Sequence, residues 1–212
     1  MLNRANLRAT IFHKDRDYDA FVEILLVAAE KFDVRIFHFC LMPNHWHLCL
    51  SLGIDGELGW FGQWFILTHT QRHHAHYRTA GQGHLYQGRF KSFPVQDDEH
   101  FLTVARYVER SAFAAKLCEH PGEWRWGSLH HWADRTPLAA KLLSAWPVKR
   151  PANGADRVAE DFSSQQRRQL DWSVKRGVPF GGETWVESIA RRFNLESTMR
   201  PRGRPRKFKT AP

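Results

Sequence analysis

The sequence predicts an α+β fold built from a β-hairpin and amphipathic helices. Apolar residues recur at spacings of three and four in three separate segments, which is typical of helices with one buried face. Between the first two segments lies a β-rich run that a Pro-Asn turn folds back on itself. With 212 residues, 42% of them hydrophobic, the chain is long enough for one well-cored domain and an appendage.

The first predicted elements are a helix and the two strands of the hairpin. The spacing of apolar residues predicts a helix over Asp15–Phe32. Strands are predicted over Val34–Met42 and His45–Leu52, with Pro43-Asn44 as the turn between them. The inner face of the helix is predicted to comprise Tyr18, Phe21, Leu25, Ala28 and Phe32.

A second helix, a short strand and a third helix follow. The second helix is predicted over Glu57–Thr79 and ends at Gly81-Gln82-Gly83. Arg89–Gln96 is predicted to be an edge strand because it contains a proline. Asp97-Asp98 are predicted to cap the third helix, which runs to about Leu117. The predicted inner faces are Leu58, Phe61, Phe65 and Thr68 in the second helix, and Phe101, Leu102, Ala105, Val108 and Ala112 in the third.

This order of elements is that of a ferredoxin-like antiparallel sheet with helices on one face, provided that a first strand precedes the first helix. Only Met1–Arg4 is available for that strand, so we expect it to be truncated. In such a fold the first strand lies inside the sheet, where its loss would leave ladder groups unpaired. The sequence therefore suggests a truncated or misassigned start.

The rest of the chain is predicted to form a helical, basic extension. The aromatic segment Glu123–Trp132 is expected to pack back onto the domain, which therefore covers residues 1–132. Residues 133–155, which contain three prolines and one glycine, are predicted to be a linker, and residues 156–212 the extension. Its predicted helices are Asp156–Lys175 and Glu183–Phe193.

Composition excludes several classes of protein. No run approaches the roughly 18 consecutive apolar residues of a membrane span, and the polar start does not resemble a signal peptide. The three cysteines lack CxxC spacing, which argues against a zinc ribbon or a disulfide framework and favours a reducing, cytoplasmic location. The net charge of +9 favours a polyanionic partner, although a generally basic protein would also explain it.

Two histidines at the start of the second hairpin strand are candidate metal ligands. In the stretch MPNHWHLCL, strand alternation places His45, His47 and Cys49 on one face. Trp46 then points the other way and is predicted to be a core residue. Two neutral imidazoles suit a divalent first-row ion, but a third ligand must come from elsewhere in the fold. The alternative is two polar residues on an open sheet face.

Tyr107, in the third predicted helix, is a candidate nucleophile. The tyrosine hydroxyl is one of the groups that form covalent intermediates in enzymes. Ser111 lies one turn later on the same helical face and could present a ligand beside that hydroxyl. Taken alone, Tyr107 is better explained as an ordinary half-buried aromatic residue.

Further residues are candidates for contacts with DNA. Arg89 and Lys91 are candidate phosphate ligands. The segment Thr68–Arg78 is a candidate DNA-facing surface through Arg72 and Arg78. It also holds His69 and His73 at the i, i+4 spacing of a possible second metal site.

Four blocks in register carry a resemblance to a known family. LMPNHWHLCL, GHLYQGRFKSF, RYVERSAFAAKL and WRWGSL together resemble the REP-associated tyrosine transposases, which belong to the HUH single-strand DNA endonucleases. The resemblance covers about Asn3 to Trp132. It implies a ferredoxin-like catalytic domain in which His45 and His47 hold Mg²⁺ or Mn²⁺. It also implies that Tyr107 attacks single-stranded DNA, beside hairpin-forming repeats, and leaves a 5′-phosphotyrosine and a free 3′-hydroxyl.

The chain departs from this family at one position. Members usually carry an amide side chain four residues after the tyrosine as a third metal ligand, whereas this chain has Ser111. The resemblance therefore implies weaker metal binding. Two alternatives stay open: a domesticated DNA-binding protein that no longer cuts, and a metal-dependent nuclease that uses water as its nucleophile.

The C-terminal stretch MRPRGRPRKFKTAP holds six Lys or Arg residues and no acidic residue, which is typical of a nucleic-acid-binding arm. Its PRGRPRK segment resembles an AT-hook, in which Arg202, Arg204 and Arg206 would enter an A·T-rich minor groove. A disordered basic tail with nonspecific affinity is the alternative. The expected protein is a nucleoid-associated monomer or homodimer.

Overall fold

The computed structural model describes residues 1–53, 58–151 and 157–200. The described strands are β1 (Leu2–Arg4), β2 (Val34–Met42) and β3 (His45–Leu52). The described helices are α1 (Asp15–Lys31), α2 (Leu58–Tyr77), α3 (Glu99–Glu109), α4 (Ser111–Ala114), α5 (Ser128–Ala133), α6 (Pro137–Leu142), α7 (Ser164–Arg176), α8 (Glu183–Arg192) and α9 (Glu196–Met199). In the described part of the chain, no helix has the length and apolar character needed to cross a membrane.

The three strands form a small antiparallel sheet in the order β1-β3-β2. Strand β1 is short, but it is paired on both edges. Leu2 lies opposite His47 on β3, and its backbone exchanges two hydrogen bonds of 2.8 Å with Lys91 on the other side. The first strand is therefore present and paired over Leu2–Arg4, although it covers only the first part of β3. The predicted strand Arg89–Gln96 is wrong, because this segment makes only isolated bridges, at Lys91 and Val95.

Helices cover both faces of the sheet, so the prediction of helices on one face is wrong. One face packs against α1 and α2, with Trp46 fully buried as predicted. The other face packs against α3 and α7. The physical reason is that β2 is apolar at nearly every position, as in a strand that is buried on both sides. A bulge between Ile36 and His38 leaves Phe37 and His38 together on the α3 side.

The hairpin strands have the predicted bounds, and the helices differ from prediction mainly at their ends. Asp98 caps α3 as predicted, accepting a hydrogen bond from the His100 backbone, but the helical path breaks at Arg110. Helix α7 begins at Ser164 rather than at Asp156, because Ser163 and Gln166 form a capping box. The start of the longer predicted helix lies outside the described residues.

The C-terminal third packs onto the same core. As predicted, the aromatic segment folds back: Leu41 donates a backbone hydrogen bond of 2.9 Å to Trp126, which is buried. Within the predicted linker, α6 buries Leu142, and Leu143 bridges Ile36 at the free edge of β2. This part of the predicted linker is therefore an ordered element of the core, since its apolar residues cover that edge. The domain boundaries themselves stay a prediction.

Candidate active site

A cleft of about 200 Å³ opens on the α3 side of the sheet. Strand β3 contributes His45 and His47, and α3 contributes Tyr107. Residues from further elements complete the lining: Arg4, Arg110, Ser111, Phe162 and Arg167. Strand alternation and the packing of α3 over the sheet therefore bring the predicted nucleophile and both predicted metal ligands to one place.

The two histidines lie next to each other, with ring centroids 5.1 Å apart. His45 Nδ1 donates a hydrogen bond of 2.6 Å to Asn44 Oδ1, which leaves the lone pair of Nε2 available to a cation. Burial, together with the charge of Arg4, lowers the pKa of His45 to about 4. Burial and neighbouring positive charge, including His45, lower the pKa of His47 well below its usual value. Both rings are therefore neutral at pH 7, the form that binds metals.

The donor set fits a weakly held divalent ion. Two neutral nitrogens converge in a cleft that is open to a phosphate, and Mg²⁺ or Mn²⁺ could complete its coordination with water and phosphate oxygens. Within the described residues, no group of three or more His, Cys, Asp or Glu side chains is arranged to hold a metal. A further ligand from the described part of the chain would therefore be of another type.

Ser111 lies in the cleft, but its hydroxyl already has a partner. Its Oγ donates a hydrogen bond of 2.9 Å to the backbone carbonyl of Tyr107, one helical turn earlier. This local bond is common for serine in helices. It keeps the hydroxyl close to the helix axis, so that Ser111 is a poor third ligand in this arrangement.

The ring of Tyr107 stands perpendicular to that of His47, with centroids 5.6 Å apart and an interplanar angle of 88°. Burial raises the pKa of the phenol, and Asp171 adds to this effect. Arg167 and Arg4 act in the opposite direction by favouring the charged phenolate. The cleft thus holds a phenol next to two imidazoles, with cations positioned to stabilise negative charge.

The structure describes four of the other residues predicted to contact DNA, and all four lie outside this cleft. Lys91 is exposed and, through the pairs Lys91–Leu2 and Leu2–His47, lies two strand spacings from His47, roughly 10 Å, on the same face of the sheet. Arg89 is also exposed. Arg72 and Arg78 are exposed at the end of α2, which packs against the opposite face. Arg202, Arg204 and Arg206 lie outside the described residues.

The suggested second metal site has an ordinary structural explanation. Tyr86 accepts a hydrogen bond of 3.0 Å from Trp46 Nε1 and donates one of 2.8 Å to His69 Nδ1. Burial lowers the pKa of His69 to about 3, so the ring is a neutral member of the core. His69 therefore serves packing and hydrogen bonding. Its ring centroid lies 6.0 Å from that of His73, and a second metal site at this pair stays a prediction.

Comparison with known proteins gives one match. The model of the family described as "Transposase IS200 like" matches residues 1–111, more than half of the chain. The chain belongs to the IS200-like transposase family. No curated protein and no solved structure matches it. The matched segment contains the two histidines and Tyr107, and it ends at Ser111.

Three cationic residues of this IS200-like transposase were missed by the sequence reasoning. Arg4 lies opposite His45 in the β1–β3 ladder, and its side chain lines the cleft. Arg110 follows α3 and pairs with Asp161. Arg167 comes from α7, beyond the segment that matches the family. A basic residue in the first strand was a signal for Arg4, whereas no local pattern marked Arg167.

Proposed function

We propose that this protein is a metal-assisted tyrosine transposase that nicks and rejoins single-stranded DNA through a 5′-phosphotyrosine. Membership of the IS200-like family supports the class of enzyme. The single observation that carries the proposal is the placement of Tyr107 beside His47 in a cleft that Arg4 and Arg167 also line. This combination provides a nucleophile, a cation site and positive charge for a phosphodiester.

The proposed reaction is an in-line exchange at phosphorus. The Tyr107 oxygen attacks the scissile phosphorus as its proton leaves to solvent, and the bond from phosphorus to the 3′-oxygen breaks. That oxygen takes up a proton and becomes a free 3′-hydroxyl, while the phosphate stays esterified to Tyr107. Attack by another 3′-hydroxyl reverses the step and joins strands. No ATP is needed, because the phosphotyrosine keeps the energy of the original ester bond.

The residues of the cleft and of its surroundings have separate tasks in this reaction. Arg4 would favour the phenolate and the anionic transition state by its charge. Asn44 would hold the His45 ring in the tautomer that presents Nε2. His45 and His47 would hold Mg²⁺ or Mn²⁺, which when bound supplies polarisation of a phosphoryl oxygen. Arg89 and Lys91 would contact the flanking strand, because both are exposed.

The ferredoxin-like arrangement is part of the proposal. The described sheet has the order β1-β3-β2, and the segment that follows α2 lies along the outer edge of β1 through the bridges at Tyr86 and Lys91. This segment occupies the place of a fourth strand. The proposed substrate is single-stranded DNA beside a hairpin-forming repeat, which would place a monomer or homodimer of the protein on the nucleoid.

We further propose that the basic tail binds A·T-rich duplex DNA through its AT-hook-like segment. Deleting residues 201–212 removes five cationic side chains, so the dependence of DNA affinity on salt should flatten. Nicking at saturating DNA should be unchanged. Loss of nicking at saturation would show instead that the tail belongs to the active site.

A double-label assay tests the enzymatic proposal. Hairpin DNA with randomised single-stranded flanks is labelled at either end and incubated with protein and Mn²⁺. With a 3′ label the signal should move with the denatured protein, whereas a 5′ label should appear on a free, shorter strand. Tyr107→Phe should abolish both products, and Tyr77→Phe, which alters a tyrosine bonded to Asp17, should not.

The two alternatives give different results in this assay. A water-dependent nuclease would produce free strands with either label and would not need Tyr107. A DNA-binding protein without nuclease activity would retard the DNA in a native gel and produce no shorter strand. Either result from the wild-type protein would overturn the proposal.

A further inference from the structure

Helix α7 contributes an arginine to a cleft that, apart from Phe162, otherwise consists of residues in or near the family-matched segment. Arg167 lines the cleft together with Tyr107 and His47, and it also lines a neighbouring groove of about 880 Å³. Arg110 borders both spaces too, and Lys116 lies in the groove. A strand that leaves the cleft along this groove would therefore pass Arg167.

The position of α7 is fixed by its packing on α3. Leu170 is fully buried in the same apolar cluster as residues of α3, and Ser163 caps the start of the helix. The preceding segment is bound to α3 as well: the guanidinium of Arg106 lies 4.2 Å from the ring centroid of Phe162 and 3.6 Å from Glu160. Arg110 pairs with Asp161. These contacts hold Arg167 at the cleft on an ordered helix rather than on a tail.

The positive charge of the cleft favours the binding of a phosphate group. Its described lining includes Arg4, Arg110 and Arg167, and no carboxylate is among the described residues that line it. Arg110 is paired with Asp161. Arg167 Nε lies 3.5 Å from Asp171 Oδ1, and the side chain is 54% exposed. A guanidinium engaged through Nε can still present its terminal N–H groups, which match two phosphate oxygens.

We propose that Arg167 binds the backbone phosphate at the cleavage position, so that the C-terminal extension completes the active site. The inference rests on the proposed function, because it names a substrate-contacting residue in the same cleft. It goes beyond that function by assigning a role to a segment that lies outside the family match. Asp171 then weakens phosphate binding, because its carboxylate repels the phosphate that Arg167 attracts.

The test compares Arg167→Gln with Arg168→Gln, its exposed neighbour on α7, which lines neither space. With the hairpin DNA pool at saturation, Arg167→Gln should slow adduct formation by about 100-fold, the effect of removing one hydrogen-bond donor from a transition state. Arg168→Gln should match the wild type, and Arg167→Lys should recover part of the rate. A normal rate for Arg167→Gln at saturation would overturn the proposal.

A binding measurement tests the same proposal without cleavage. The affinity of the full-length protein for fluorescent oligodeoxythymidylate is measured across a range of salt concentrations. Arg167→Gln should lower the salt slope by about 0.7, the value for one phosphate contact on a single strand. Asp171→Asn should raise the affinity. Equal slopes for the wild type and Arg167→Gln, or an equal loss in Arg168→Gln, would overturn the proposal.

The two tests distinguish a failure of the proposed function from a failure of the proposed role of Arg167. If the wild-type protein forms no adduct, the proposed function fails, and the binding measurement still decides whether Arg167 holds a phosphate. If the wild-type protein forms the adduct and Arg167→Gln does so equally well, only the role of Arg167 is refuted.

Discussion

His38 Nδ1 on β2 donates a hydrogen bond of 2.9 Å to Glu109 Oε1 on α3, and the two side chains are 0% and 3% exposed. Glu109 comes two residues after Tyr107, where α3 ends. The pair therefore links the sheet to the end of the helix that carries the proposed nucleophile. Because both groups are buried, each depends on the other for its polar contact.

The first prediction concerns this pair. Glu109→Ala leaves the buried His38 without its partner, which should lower the free energy of unfolding by about 3–5 kcal/mol. Replacing both residues with apolar ones, as in His38→Leu with Glu109→Met, should recover most of the loss. Urea denaturation followed by circular dichroism measures both. Glu160→Gln removes a surface partner of Arg106 and should cost at most about 1 kcal/mol. A similarly small loss for Glu109→Ala would contradict the prediction.

The second prediction compares two glycines of α2. A Cβ at Gly62 would clash with the ring of Phe90, whereas a Cβ at Gly59 would meet nothing within 4 Å. Gly62→Ala should therefore destabilise the protein by about 1–3 kcal/mol through overpacking. Gly59→Ala should stabilise it by up to about 1 kcal/mol, because alanine is the better helix former. Thermal unfolding measures both, and stabilisation by both variants would show that Phe90 moves aside freely.

The third prediction is a pH dependence of stability. Burial lowers the pKa of His69 to about 3 in the folded state, whereas an unfolded histidine titrates near 6.5. The unfolded chain therefore binds the extra proton first as the pH falls, and stability is lost below about pH 6.5. Between pH 7 and pH 5, His69 alone should lower the free energy of unfolding by about 2 kcal/mol. His69→Gln should remove that share of the pH dependence. Parallel pH curves for the variant and the wild type, from urea denaturation, would refute the assignment.

The fourth prediction concerns Ser111. In Ser111→Asn an amide oxygen replaces a hydroxyl that is bonded to the helix backbone, so a third ligand becomes available. The Mn²⁺ concentration at half-maximal nicking should fall several-fold. Ser111→Ala should leave this concentration unchanged, and chelation should abolish nicking by every variant. Identical Mn²⁺ curves for Ser111→Asn and the wild type would count against a metal site beside Ser111.

Much of the fold could be predicted from local patterns. The bounds of β2 and β3 and the buried place of Trp46 were correct, because turn residues and strand alternation act within a few positions. The covering of both sheet faces was missed, although the apolar run of β2 contains that information. The segment at Lys91 was wrongly predicted to be a strand, because its pairing with Leu2 is short and depends on distant residues.

The candidate active-site cleft could be predicted only in part. His45, His47 and Tyr107 carry recognisable patterns, and the structure brings all three together. The position of Arg4 in the cleft depends on the register between β1 and β3, which no local motif specifies. The position of Arg167 in the cleft depends on how α7 packs against α3, which is a contact between segments far apart in the chain. Long-range packing therefore determines the charge of the cleft.

The central claim is that Tyr107 becomes covalently attached to DNA. The most direct measurement is mass spectrometry of the protein after reaction with the hairpin DNA pool and Mn²⁺, followed by nuclease and protease digestion. The account predicts that a nucleotide phosphate is attached to Tyr107 and to none of the other three tyrosines. Cleaved DNA together with an unmodified Tyr107 peptide, or with the phosphate on a different residue, would contradict it.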